Sequence, residues 1–105
     1  MMELYLLEQL IAFSRQGTLS GAAEKLHISQ PALSQSMKKL EESLGVSLFE
    51  RSKNKIALNE NGIMAVQLGE KLLEQSREME ERLRLFDRSR RTLSVGCLLY
   101  TSPSP

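Results

Sequence analysis

Three patterns in the sequence predict a mainly α-helical fold with one small ribbon: three short helices, two paired strands, then a long helix. The first is a set of stops that cuts the opening residues into helical lengths, with Gly17 and Gly45 as terminators and Pro31 at the start of a helix. The second is a stretch of extended character from Val46 to Leu58, broken by a polar turn. The third is an apolar repeat from Ala65 to Phe86 that alternates steps of four and three.

From Glu3 to Gln16, Leu4, Leu7, Leu10, Ile11 and Ser14 recur at helical spacing, and Leu6 and Phe13 widen the apolar stripe. Gly17 ends this helix. Thr18 to Ser20 then supply capping hydroxyls for a short second helix, Gly21 to Leu26, whose Gly21, Ala22 and Ala23 allow another helix to come close. His27-Ile28-Ser29 is long enough only for a tight link, and Ser29 is a good N-cap for the next helix. That third helix runs to Gly45. Leu33, Met37, Leu40 and Leu44 fall on its inner face, Pro31, Gln35 and Lys38 on the opposite face, and Ser34 on the flank. Its acidic residues, Glu41 and Glu42, come only in the second half, so the leading outward surface is polar and free of negative charge. Two helices joined by a short turn, the second showing such a face, form a helix-turn-helix suited to a DNA groove.

Val46 to Arg51 and Ile56 to Leu58 pair as two strands around the turn Ser52-Lys53-Asn54-Lys55, which makes the motif a winged helix-turn-helix over residues 1–58. Leu48, Phe49, Ile56 and Leu58 tack the wing to the helices. Arg51, Lys53, Asn54 and Lys55 project toward phosphates beside the groove or into the minor groove.

Residues 59–88 read as a linker and dimerisation helix. Its seam is Ala65, Gly69, Leu72, Ser76, Met79, Leu83 and Phe86, with Glu74–Arg77, Glu78–Arg82 and Glu80–Arg84 as supporting pairs on the exposed sides. Thirty residues extend about 45 Å at 1.5 Å each, more than a domain of about sixty residues can cover, so a second copy is the expected partner, the alternative being a helix folded back on its own domain. The pattern breaks at Arg88 to Thr92, as at a hinge, and Leu93-Ser94-Val95-Gly96 has the character of a strand.

Composition narrows the function classes. The 105 residues carry a formal net charge of +1, 41% hydrophobic and 26% charged, so any nucleic-acid affinity rests on a local patch rather than on global charge. That patch exists: Lys38 and Lys39 stand in an acid-free run from His27 to Leu40, and a second acid-free run with three basic residues follows from Arg51 to Leu58. Cys97 is the single cysteine and His27 the single histidine, which leaves no intramolecular disulfide, no metal cluster and no nucleophile with its base. No cofactor and no enzymatic role are expected. No apolar run approaches the ~20 residues of a membrane span, and a cytoplasmic location is expected. The competing class is a helical dimeric interaction module whose basic wing binds an acidic partner.

The run from Phe13 to Gly62 resembles the amino-terminal domain of the LysR-type transcriptional regulators. The residues that carry the resemblance are Gly17-Thr18-Leu19, Ala22-Ala23, Leu26, Ser29-Gln30-Pro31-Ala32-Leu33-Ser34, Leu40-Glu41, Leu44-Gly45, Leu48-Phe49-Glu50-Arg51, Leu58 and Gly62. Two positions depart from the family pattern: Gln35 stands where many members carry arginine, and Asn59, itself a strong N-cap, replaces the common threonine. The resemblance implies a sequence-specific regulator that binds a palindromic operator in double-stranded DNA as a homodimer, tetrameric in the full-length form. It also implies a small-molecule effector bound only in a domain beyond this chain. Gln30 and Gln35 then read base edges, Pro31 and Ala32 offer apolar surface to thymine methyls, and Thr18, Ser29 and Ser34 donate to phosphates. Lys38, Arg51, Lys53 and Lys55 supply the salt-dependent attraction; neutralising about five phosphates per protomer gives a log–log salt slope of roughly 4–5. On this reading, residues 89–97 are a hinge and the start of a truncated effector domain. Residues 98–105 do not fit the family's pattern and read as a non-native tail, so the chain is expected to be a fragment.

Overall fold

The computed structural model describes residues 2–96 and contains six elements. They are α1 (Leu4–Gln16), α2 (Leu19–Leu26), α3 (Gln30–Leu44), β1 (Phe49–Ser52), β2 (Lys55–Leu58) and α4 (Glu60–Gly96). The winged helix-turn-helix expected from the stops and spacings is the fold observed. Residues up to Leu73 form one compact unit and those from Glu74 a second.

Each stop acts through its backbone. Gly17 and Gly45 take left-handed φ values of 82° and 75°, and their amides close onto the carbonyls of Phe13 and Glu41 at 2.8 Å. His27 also sits at a positive φ of 60°, ending α2 with its own N–H on Glu24 O. The helix starts are capped as the hydroxyls suggested. Thr18 Oγ1 accepts from Gly21 N at 3.0 Å, and Ser29 Oγ from Ala32 N at 3.2 Å.

The core of the first unit gathers Leu6, Leu7, Leu10, Ile11 and Phe13 of α1, Ala22 and Ala23 of α2, and Leu33, Met37 and Leu40 of α3. Leu4 and Leu44, both assigned to inner faces from their spacing, are exposed, at 40% and 38%. Each lies at a helix end, where the neighbouring helices no longer cover it. The antiparallel register Phe49↔Leu58, Glu50↔Ala57, Arg51↔Ile56, Ser52↔Lys55 narrows the turn to Lys53-Asn54. Leu48 and Phe49 anchor the ribbon in the core, Phe49 edge-on to Phe13 with ring centroids 5.4 Å apart, and Ile56 and Leu58 are partly buried beside them.

The start of α4 belongs to this core. Val66 and Leu73 are buried in it, Ala65 packs against it, and Gly69 lies so close to α1 that an added Cβ would stand 3.3 Å from Leu7 Cδ2. Of the residues assigned to the dimer seam, Gly69 is thus covered by its own chain and Ala65 is half-covered. The repeat served a helix folded onto its domain here, because α1 offers a matching apolar row. Asn59 caps α4: its Oδ1 accepts from Gly62 N at 2.9 Å while its Nδ2 donates to Ser47 O at 3.1 Å. Asn59→Ala removes both contacts and is expected to cost about 1–2 kcal/mol, read as a lower urea midpoint at unchanged slope.

In the second unit α4 continues through the expected hinge and the expected strand to Gly96. No proline interrupts residues 88–96, and Asp87–Arg91 adds an i,i+4 ion pair at 2.6 Å. A strand needs a neighbour to pair its backbone, whereas a helix pairs it locally; among the described residues the wing is the only sheet. The pairs Glu74–Arg77, Glu78–Arg82 and Glu80–Arg84 do not close within 4 Å among the described residues. Cys97, the last residue of the expected effector-domain start, and the tail at 98–105 lie outside the described residues.

Candidate nucleic-acid interface

The start of α2, the first residue of α3 and the outer part of the wing from Arg51 to Ala57 border one concave surface, on which Thr18, Ser20, Gln30, Arg51, Lys53 and Lys55 stand close together. Neither helix has an acidic residue in its first turn, so two positive helix ends and the wing cations share this surface. Thr18 and Ser29 use their oxygens as caps, which leaves each hydroxyl proton free to donate outward. Asn54 sits at the tip of the wing turn on the same surface.

The other assigned residues of α3 lie on its outer side rather than in the concavity. Pro31, Ala32, Gln35 and Lys38 are exposed, and Ser34 is half-buried on the flank. The helix therefore presents two polar rows: Gln30 on the surface shared with the wing, and Gln35 with Lys38 outside it. A groove wide enough for an α-helix can meet both rows at once.

Two residues behave differently from their sequence assignment. Lys39, counted with Lys38 in the basic run, turns back to α1. Its Nζ lies 3.2 Å from Glu3 Oε1 and 3.5 Å from Tyr5 Oη, and the hydrogen bond to Glu3, with that to Tyr5, holds its pKa above the ordinary lysine value. It stays charged but serves the α1–α3 packing. Arg51 is paired within the domain: its guanidinium is 3.8 Å from Glu41 Oε1 and 5.9 Å above the Phe49 ring. Its charge toward an outside anion is partly compensated.

Spacing along the chain missed two contributors. Ser20 joins the surface because α2 begins two residues earlier than its small residues suggested, at Leu19. Glu41 reaches the wing across a turn; its partners are seven and ten residues away, a spacing with no local signature.

This geometry has close counterparts. The family model described as the bacterial regulatory helix-turn-helix protein, lysR family, matches residues 4–63. The Hca operon transcriptional activator HcaR of Escherichia coli is 38% identical over 95 residues, 90% of this chain and 32% of that protein. YcgK of Bacillus subtilis, an HTH-type transcriptional regulator, is 38% identical over 85 residues, 77% of this chain and 26% of its own length. The chain thus spans about a quarter to a third of these curated relatives. Among solved structures, the DNA-binding domain of CbnR in complex with DNA superposes with a TM-score of 0.77 at 35% identity, covering 82% of this chain and 99% of that one. The BenM DNA-binding domain on catB site 1 DNA gives 0.78 at 31% identity, covering 85% and 96%. With a fold that superposes on these DNA-binding domains and a family match over more than half its length, this chain belongs to the LysR family of bacterial transcriptional regulators.

Proposed function

We propose that the chain binds a palindromic operator in duplex DNA as a homodimer, laying α3 in the major groove while the wing meets phosphates or the minor groove. The observation that carries this reading is the single acid-free surface shared by the starts of α2 and α3 and by Arg51, Lys53 and Lys55. The two CbnR and BenM relatives above were captured on DNA, which supports the same role here. Gln30 and Gln35 read base edges as amides; Thr18, Ser29, Ser34 and Lys38 position the backbone. Exposed apolar side chains support the homodimer. Leu68 and Leu72 border an apolar groove on the first unit, and the second unit leaves Met79, Leu83 and Phe86 open at 57–59% exposure, with Ser76 half-buried among them. In the whole protein, a small-molecule effector is sensed in a further domain.

Selection from a random duplex library tests this reading. The expected winners are inverted repeats, each bound by a dimer in sedimentation, because two α3 helices related by a twofold axis read the same half-site twice. Gln30→Ala with Arg51→Ala should abolish the shift on the selected duplex. A dimeric, folded sample that enriches no duplex would favour the interaction module with an acidic partner instead.

A further inference from the structure

We infer that Glu41 is a positioning residue for sequence discrimination, locking the wing to the recognition helix through Arg51; this rests on the DNA-binding reading above. A carboxylate on this flank of α3 is electrostatically costly beside a polyanion. Glu41 lies seven residues beyond Ser34, two helical turns down the same side. Its contacts show what offsets the cost. Oε2 accepts from Leu48 N at 2.8 Å and lies 3.5 Å from Ser47 Oγ, while Oε1 faces the Arg51 guanidinium at 3.8 Å. The carboxylate is largely covered, at 19% exposure against 48% for Arg51.

The segment it grips is held from the other side as well. Asn59 and Asn61 both donate to Ser47 O, at 3.1 and 3.0 Å, and Asn59 N donates to Leu48 O at 2.9 Å. Two consecutive residues thus tie α3, β1 and the start of α4 together. A neutral amide at position 41 would keep the bond to Leu48 N. Only a carboxylate also restrains Arg51, whose long side chain otherwise loses rotamer freedom each time it meets a phosphate. The pair fixes the wing cations at one offset from Gln30 and Gln35, so the two halves of the surface engage only a duplex whose base edges and phosphates match together. On any other duplex the same negative charge reduces attraction.

Glu41→Gln separates these effects. Binding is measured on the duplex recovered by selection and on a mixed-sequence duplex of equal length. Affinity for the selected duplex should fall about tenfold, the size of one lost base-edge contact, while mixed-sequence affinity stays level or rises. In an Arg51→Gln background the same change should have no further effect on discrimination. Hydrogen exchange of the free protein should quicken over β1 and β2 and not over α1 and α2. Equal losses on both duplexes, an undiminished effect without Arg51, or a uniform rise in exchange would each overturn the inference. If the unsubstituted chain binds no duplex at all, the DNA-binding reading falls first and takes this one with it.

Discussion

Gly62→Ala should lower the stability of the first unit by about 3 kcal/mol, the upper end for forcing a methyl into a packed site. A Cβ at this position would collide with the backbone carbonyl oxygen of Leu48 and stand 2.8 Å from Leu58 Cδ2 and 3.1 Å from Leu58 Cβ. The carbonyl cannot step aside, because it already accepts from Asn59 N at 2.9 Å and belongs to the segment that Glu41 and Asn61 hold. Relief would require α4 to lift from the wing, releasing the Asn59 cap. For a unit of this size the loss corresponds to a fall in Tm of about 12–24 °C, measured by circular dichroism at fixed protein concentration since self-association contributes to apparent stability. Gly17→Ala is the control. Its Cβ meets nothing within 4 Å, so only the positive φ of 82° opposes it, at a cost of about 1 kcal/mol. Equal costs at the two glycines would show that close approach of α4 is not what position 62 demands.

Neutralising the wing should have the largest effect on binding. Lys53→Gln with Lys55→Gln is expected to reduce the log–log salt slope by about 1.8 per protomer, at roughly 0.9 for each phosphate released. Adding Arg51→Gln should take away less than a further 0.9, because Glu41 already balances part of that charge. Fluorescence anisotropy of a labelled duplex over a range of salt gives all three slopes. An unchanged slope in the double variant would remove the wing from the interface. A full-sized step at Arg51 would mean that its pairing with Glu41 dissolves on DNA.

Much of this molecule was legible along the chain because its determinants are local. Gly17 and Gly45 end helices through their own φ values, and Thr18, Ser29 and Asn59 cap the helices that follow them within three residues. Leu33, Met37 and Leu40 repeat at helical spacing and are all buried. The polar outer side of α3 was legible in the same way, since Gln30, Pro31, Gln35 and Lys38 needed only a helix to turn them outward. Where a residue's fate depends on a partner distant in sequence, periodicity had no access to it. Lys39 has the same spacing and charge as its neighbour but turns to Glu3 and Tyr5, more than thirty residues earlier. Gly69 fits a seam between copies, yet Leu7 of the same chain lies against it.

The order of elements, their ends and their polar faces were thus decided by hydrogen bonds and spacings that each stretch carries within itself. The tertiary structure alone decided which of those faces stay open. Packing α4 on α1 covered Gly69 and part of Ala65 at the start of one apolar stripe, and folding the wing over α3 turned an acidic residue outside the expected site into the anchor of Arg51. Burial and ion pairing are properties of two surfaces meeting, and no single stretch of sequence contains both.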